Sequence, residues 1–182
     1  MRDNAFGRAV YITLELTVED ADGEHHKTVY AHFGAAIYMS QVLEHGLANA
    51  LLVLDLVPQA KKVATPATWP EKVDSFFETQ FKRTLGSLIR RLRELVAVPA
   101  ELEDLLTQAL DKRNWLSHHY FRERATEFFT QAGRDRMIEE LEEAQALFGA
   151  ADKALEAVVK PIRQRDGYTD EVLAKLQEEM LK

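Results

Sequence analysis

The sequence predicts a mainly α protein: an antiparallel four-helix bundle with an N-terminal β-hairpin and a short C-terminal helix. Three observations carry that expectation. Apolar residues recur at intervals of three and four along most of the 182-residue chain. Pro58, Pro66, Pro70, Pro99 and Pro161 stand at the edges of the periodic stretches, where chain-breaking residues belong. The first 31 residues follow a different period and are expected to form an appendage, with residues 32–182 as the helical domain.

In the first segment Val10, Ile12, Leu14, Leu16 and Val18 alternate with Tyr11, Thr13, Glu15 and Thr17, the two-residue period of a half-buried strand. Asp20-Ala21-Asp22-Gly23 has turn chemistry, and Lys27 to Ala31 is the expected return strand. From about His32 the period changes. Ile37, Val42, Leu43, Leu47, Leu51 and Leu54 share a broad helical face up to Pro58. A second helix is expected from Pro70 to about Ala97 on Phe77, Phe81, Leu85, Leu88, Leu92 and Leu95. Pro99 opens a third, with Leu102, Leu106, Ala109, Arg113, Leu116 and Tyr120 on its stripe. Gly133 reads as a break before a fourth helix on Met137, Leu141, Ala144, Leu147 and, after a shift, Leu155 and Val158. Pro161 to Gly167 reads as an interruption, after which Thr169 caps the last short helix ahead of Asp170 and Glu171.

Composition narrows the chemistry. Hydrophobic residues at 46% and charged residues at 29% suit a chain that buries its own core. Cysteine is absent, which removes disulfides, thiolate metal sites and cysteine nucleophiles. No stretch reaches the roughly 18 uncharged apolar residues of a membrane span. The N-terminus lacks the apolar run of a signal peptide, so no membrane association and a cytoplasmic setting are expected. The six histidines form neither Glu-x-x-His nor His-x-x-x-His pairs, and adjacent histidines on a helix point about 100° apart. Neither a metal site nor a cofactor is expected. Glycine-rich phosphate loops and the G-x-S-x-G elbow are missing as well.

The formal net charge is −7, but its distribution is uneven. Residues 1–60 and 137–182 each carry a net −5, whereas residues 61–136 carry +3. Lys82, Arg83, Arg90, Arg91 and Arg93 form the densest basic cluster and are the candidate track for RNA. The plainer alternative is a solvated helix face.

The string Arg113-Asn114-Trp115-Leu116-Ser117-His118-His119-Tyr120-Phe121 places an arginine in an otherwise apolar stripe. A charge there is costly unless it is paired or faces a solvated cleft. Asn114 and His118 are four apart and share a face of a regular helix. Guanidinium, amide, imidazole and phenol within eight residues make an acid/base and anion-binding set. Arg113-Asn114-x-x-x-His118 resembles the signature of the HEPN superfamily, an arginine followed four to six residues later by histidine. Arg113, His118 and Tyr120 also fit the longer Arg-x4-His-x-Tyr form found in HEPN toxins.

That resemblance implies a metal-independent endoribonuclease working as a homodimer, a toxin or defence effector with an antitoxin partner. It implies catalytic roles for Arg113, Asn114 and His118. His118 acts as general acid or base in attack of a ribose 2′-hydroxyl on phosphorus, and Arg113 stabilises charge on the phosphoryl oxygens. Tyr120, as a modification target, and His119 are accessory candidates. The alternative is a non-catalytic helical module of the same type that binds RNA, a nucleotide or a protein. Five residues of regular helix rotate side chains by about 140°. Arg113 and His118 therefore need a helix break, a wide groove, or two subunits to act together.

Overall fold

In the computed structural model, residues 21–59, 68–169, 171, 172, 175 and 178 are described, and the chain is mainly helical. Helix α1 spans Ala21–Leu51 and runs through a π-helical turn at Leu52–Leu56. It is followed by α2 (Trp69–Phe81), α3 (Leu85–Leu95) and α4 (Ala100–His118). Two single turns, α5 (Tyr120–Glu123) and α6 (Ala125–Phe128), lead into α7 (Gln131–Arg165). No strand occurs among the described residues, and no helix there is long and apolar enough to cross a membrane.

Contacts between side chains set the directions. His25 meets Asp135 at 3.0 Å and His32 meets Glu142 at 3.7 Å, while Gly46 lies against Asp152, so α1 and α7 run parallel along most of their length. Glu44 pairs with Arg113 and Phe33 stacks on Tyr120, which makes α4 antiparallel to α1. Arg93 pairs with Glu103, and Gly86 faces Leu110, so α3 is antiparallel to α4. Phe81 rests on His45 at one end of α2, and Trp69 shares a cavity with Val53 and Val57 at the other; α2 therefore returns along α1.

The core is an alternating three-four seam on each long helix. On α7 it is Met137, Leu141, Ala144, Phe148, Ala151, Leu155 and Val159, all buried. Facing it, α1 contributes Val29, Ala36, Leu43, Leu47 and Ala50. The small residues Ala36, Ala50, Ala144 and Ala151 let the two helices lie close. Leu85, Leu88, Ile89 and Leu92 of α3 and Leu102, Leu106, Ala109 and Leu116 of α4 complete it. In α2 the single buried residue is Gln80, so this helix is peripheral.

Several sequence expectations change here. Lys27 to Ala31 is not a return strand but lies inside α1, and the proposed boundary at residues 31–32 falls mid-helix. Val29 packs in the core at a helical position, and a helical register from Ala21 onward buries it together with Ala36 and Leu43. The first strand, Val10 to Val18, lies outside the described residues. The single helix expected from Pro70 to Ala97 is two helices, because Thr84 takes an extended backbone and caps α3, its hydroxyl accepting the Ser87 N–H at 3.3 Å. The first and last long helices are consequently parallel neighbours, which a simple four-helix antiparallel order does not give. Gly133 does not break the chain but sits buried in the first turn of α7, where Thr130 accepts its N–H at 3.1 Å.

Helix α7 passes through Pro161 and stops after Arg165. Gly167, at φ 94°, closes it: Gly167 N–H donates to Gln164 O at 3.0 Å and Tyr168 N–H to Arg163 O at 3.1 Å. The seam stays in register at Phe148 and Val159, so the shift expected at Leu147 and Val158 is absent. Thr169 does cap the next segment, accepting the Val172 N–H at 3.4 Å, and Glu171, Val172, Lys175 and Glu178 are helical.

One prediction arises from α1. Gly34 is exposed in mid-helix, and a methyl group at its Cα would meet nothing within 4 Å. Gly34→Ala is expected to stabilise the fold by about 0.5–1 kcal/mol through the lower entropy cost of ordering alanine. A urea midpoint that fails to rise would show that this face is not open.

Candidate functional site

Helix α4 is regular through His118 and ends there. His119 leaves the helical backbone at φ −129°, ψ −26°, while its N–H still donates to Trp115 O at 2.9 Å. The interruption thus comes after His118 and not between Arg113 and His118, and these two side chains diverge by about 140°. Asn114 and His118 are both exposed one turn apart, on the face shared with Asp111. Arg113 turns toward α1. Its Nε lies 3.4 Å from Glu44 Oε1, and its Nη1 lies 3.4 Å from Asn114 Oδ1. Both members of the Arg113–Glu44 pair are partly buried, at 30% and 25% exposure.

His119 is exposed, its Nδ1 3.0 Å from Arg122 Nη2 and its ring 6.2 Å from that of His118. Tyr120 is a core residue. It is 1% exposed, packs between Phe33 and Trp115, and donates its hydroxyl to Met137 O at 3.1 Å. Burial, aided by the Glu140 carboxylate, pushes its phenol well above the usual range. A modifying enzyme has no access to that hydroxyl in the folded chain.

Tyr120→Phe is therefore expected to cost about 1 kcal/mol by removing a buried hydrogen bond to a carbonyl that keeps only its place in the α7 helix. The phenol also makes stability pH-dependent. Its proton is held more tightly in the folded state, so the contribution is complete below the ordinary phenol value of about 10 and is lost as pH rises above it. Tyr120→Phe should flatten that alkaline loss in denaturant titrations. An unchanged profile would contradict the buried, neutral phenol.

The basic cluster divides. Arg91 donates from Nε and Nη2 to Asp55 at 3.2 and 2.7 Å, and from Nη1 to Glu94 at 2.7 Å. Arg93 is held by Glu103. Lys82, Arg83 and Arg90 are exposed and make no ion pair among the described residues. The antiparallel register of α3 on α4, with Arg93 opposite Glu103 and Gly86 opposite Leu110, puts the α2–α3 turn at the level of Arg113 and Asn114. Phe81 on His45 brings the same turn to α1 beside Glu44. Lys82 and Arg83 thus belong to the Arg113 end of the molecule, and Arg90 lies further along.

Glu44, His45 and Phe81 are the neighbours that sequence reading missed. A signal existed for Glu44, the single charge between Thr28 and Leu54, since an isolated acid on a long apolar helix asks for a basic partner. The charge that Arg113 brings to the apolar stripe is paired, by the Glu44 carboxylate of α1. Among the described residues no group of three or more His, Asp or Glu side chains is placed to hold a metal ion. No protein-family model, curated protein or solved structure matches this chain.

Proposed function

We propose that the chain is a HEPN-like, metal-independent endoribonuclease of the toxin or defence type that acts as a homodimer. The four core helices α1, α3, α4 and α7 are read as the HEPN-type bundle, with α2 inserted at its side. The observation that carries the proposal is the exposed Asn114–His118 pair on the last turn of α4, with Arg113 one face round. His118 takes the 2′-hydroxyl proton or protonates the leaving oxygen, since imidazole titrates near neutrality. Arg113 uses guanidinium donors left over from Glu44 and Asn114 to hold phosphoryl oxygens. Asn114 orients either group. Because Arg113 and His118 diverge on one helix, the site is completed by a second copy across a two-fold axis. Lys82 and Arg83, level with Arg113, lead the RNA backbone in.

The test is total RNA incubated with purified protein in EDTA, beside His118→Ala, with mass determined by light scattering. Dimeric protein that leaves 2′,3′-cyclic phosphate ends is expected. A strict monomer, or RNA left intact with and without magnesium, would favour the second reading, a non-catalytic helical module. One observation favours that reading: carboxylates of the same chain already occupy Arg113, Arg91 and Arg93.

A further inference from the structure

A cavity of about 570 Å³ opens where the C-terminal halves of α1 and α7 meet the start of α2. That volume lies within the range of small-molecule sites. None of Arg113, Asn114 and His118 lines it, so a ligand there would be independent of the nuclease proposal. Its wall is apolar and aromatic: Val53, Val57, Trp69, Val73, Leu155 and Val159. Its charged lining residues are Asp152, Glu156 and Arg163, all from α7.

These charges do not cancel. Arg163 is 8% exposed; its Nη2 lies 2.7 Å from Glu156 Oε1, and its Nη1 donates to Tyr168 O at 3.1 Å. Arg163 and Glu156 therefore match. Asp152 makes no hydrogen bond or ion pair among the described residues. Burial, with the Glu156 charge nearby, raises its carboxyl above the usual range. An uncompensated carboxylate against an apolar wall is unfavourable unless a cation reaches it.

Two features of the backbone make room for this arrangement. At Gly46 a Cβ would stand 2.3 Å from Asp152 Oδ1, so only glycine allows the carboxylate to rest on α1 at that point. Six residues further on, α1 widens into the π-helical turn at Leu52–Leu56, which supplies Leu52 and Val53 to the wall. Single π turns inside α-helices are frequent at functional sites.

We propose that this cavity binds a small organic ammonium ion with an apolar body, its charge on Asp152 and its hydrocarbon against Trp69 and the valines. The probe is 2-phenylethylammonium, compared with its anionic counterpart 3-phenylpropionate. The readout is the indole N–H signal of Trp69 in proton–nitrogen NMR spectra. The other tryptophan, Trp115, is the internal control, since its indole N–H is engaged with Glu123 at 2.8 Å.

The ammonium probe should shift the Trp69 signal saturably and leave Trp115 unmoved, with no response to the carboxylate probe. Asp152→Asn, nearly isosteric, should weaken binding at least about tenfold, the scale of a lost charge-assisted hydrogen bond. No saturable Trp69 shift at millimolar ammonium would overturn the proposal. So would an equal response to both probes, or an unchanged affinity in folded Asp152→Asn protein.

Discussion

Mixing Arg113→Ala protein with His118→Ala protein is expected to restore RNA cleavage that neither has alone. Each substitution by itself should remove at least ~10²-fold of the activity, His118 as general acid or base and Arg113 as the preorganised charge on the phosphoryl oxygens. On a helix that is regular from Ala100 to His118 the two groups point about 140° apart. If the working pair is Arg113 of one protomer with His118 of its partner, a mixed dimer contains one intact pair. Random exchange of subunits then returns about a quarter of wild-type activity. His119→Ala should lose much less, because it stands past the end of α4 with its ring engaged by Arg122. Dimers that exchange without recovering activity would place both groups in one chain and contradict the shared site. Loss of cleavage in His119→Ala with retention in His118→Ala would invert the assignment of the base.

The largest expected effect on stability belongs to Gly133→Ala. A Cβ there would stand 2.0 Å from Glu127 O and 2.6 Å from Glu127 Cα. Those are backbone atoms, so no rotamer change relieves the clash, and α6 must move away from the start of α7. That movement strains the Thr130 cap and the Arg134 contacts. Arg134 is 2% exposed, donates to Phe128 O at 3.0 Å and lies 3.2 Å from His26 Nε2. Overpacking of this kind costs about 1–3 kcal/mol and sometimes more. A chain of this size loses about 2–4 °C of melting temperature per kcal/mol. Gly34→Ala is the matched control, with the opposite sign. Equal melting temperatures for wild type and Gly133→Ala would mean that α6 and α7 do not approach this closely.

Local chemistry decided much of this molecule. The three-four spacing of Leu43, Leu47 and Leu51, of Leu88 and Leu92, and of Leu102 and Leu106 names core positions without any structure, because only a helix gathers them on one face. The cap at Thr169 was equally legible. So was the pairing of Asn114 with His118 on one face, which depends on helical geometry alone.

Periodicity was a poor guide where the chain reverses. The apolar spacing continues unbroken from Phe77 through Leu92, yet one helix stops at Phe81 and Thr84 begins another, and a period carries no record of direction. The alternation of Lys27 to Ala31 suited a strand in isolation. In the fold Val29 is buried on α1, which packs along α7 from His25 onward, and burial there outweighs β-propensity.

Gly133 shows the same division at one residue. A glycine between two helical patterns reads as a break, while its use here is to let the Glu127 carbonyl pass, a fact about a neighbour and not about the local chain. Residue types, helical faces and caps are properties of a few adjacent residues, and the sequence by itself determined them. The parallel pairing of α1 with α7, the capture of Arg113 by Glu44 and the placing of Asp152 against Gly46 each depend on residues tens of positions apart. Only the tertiary structure decided those, because the energies that select them exist only once distant faces have met.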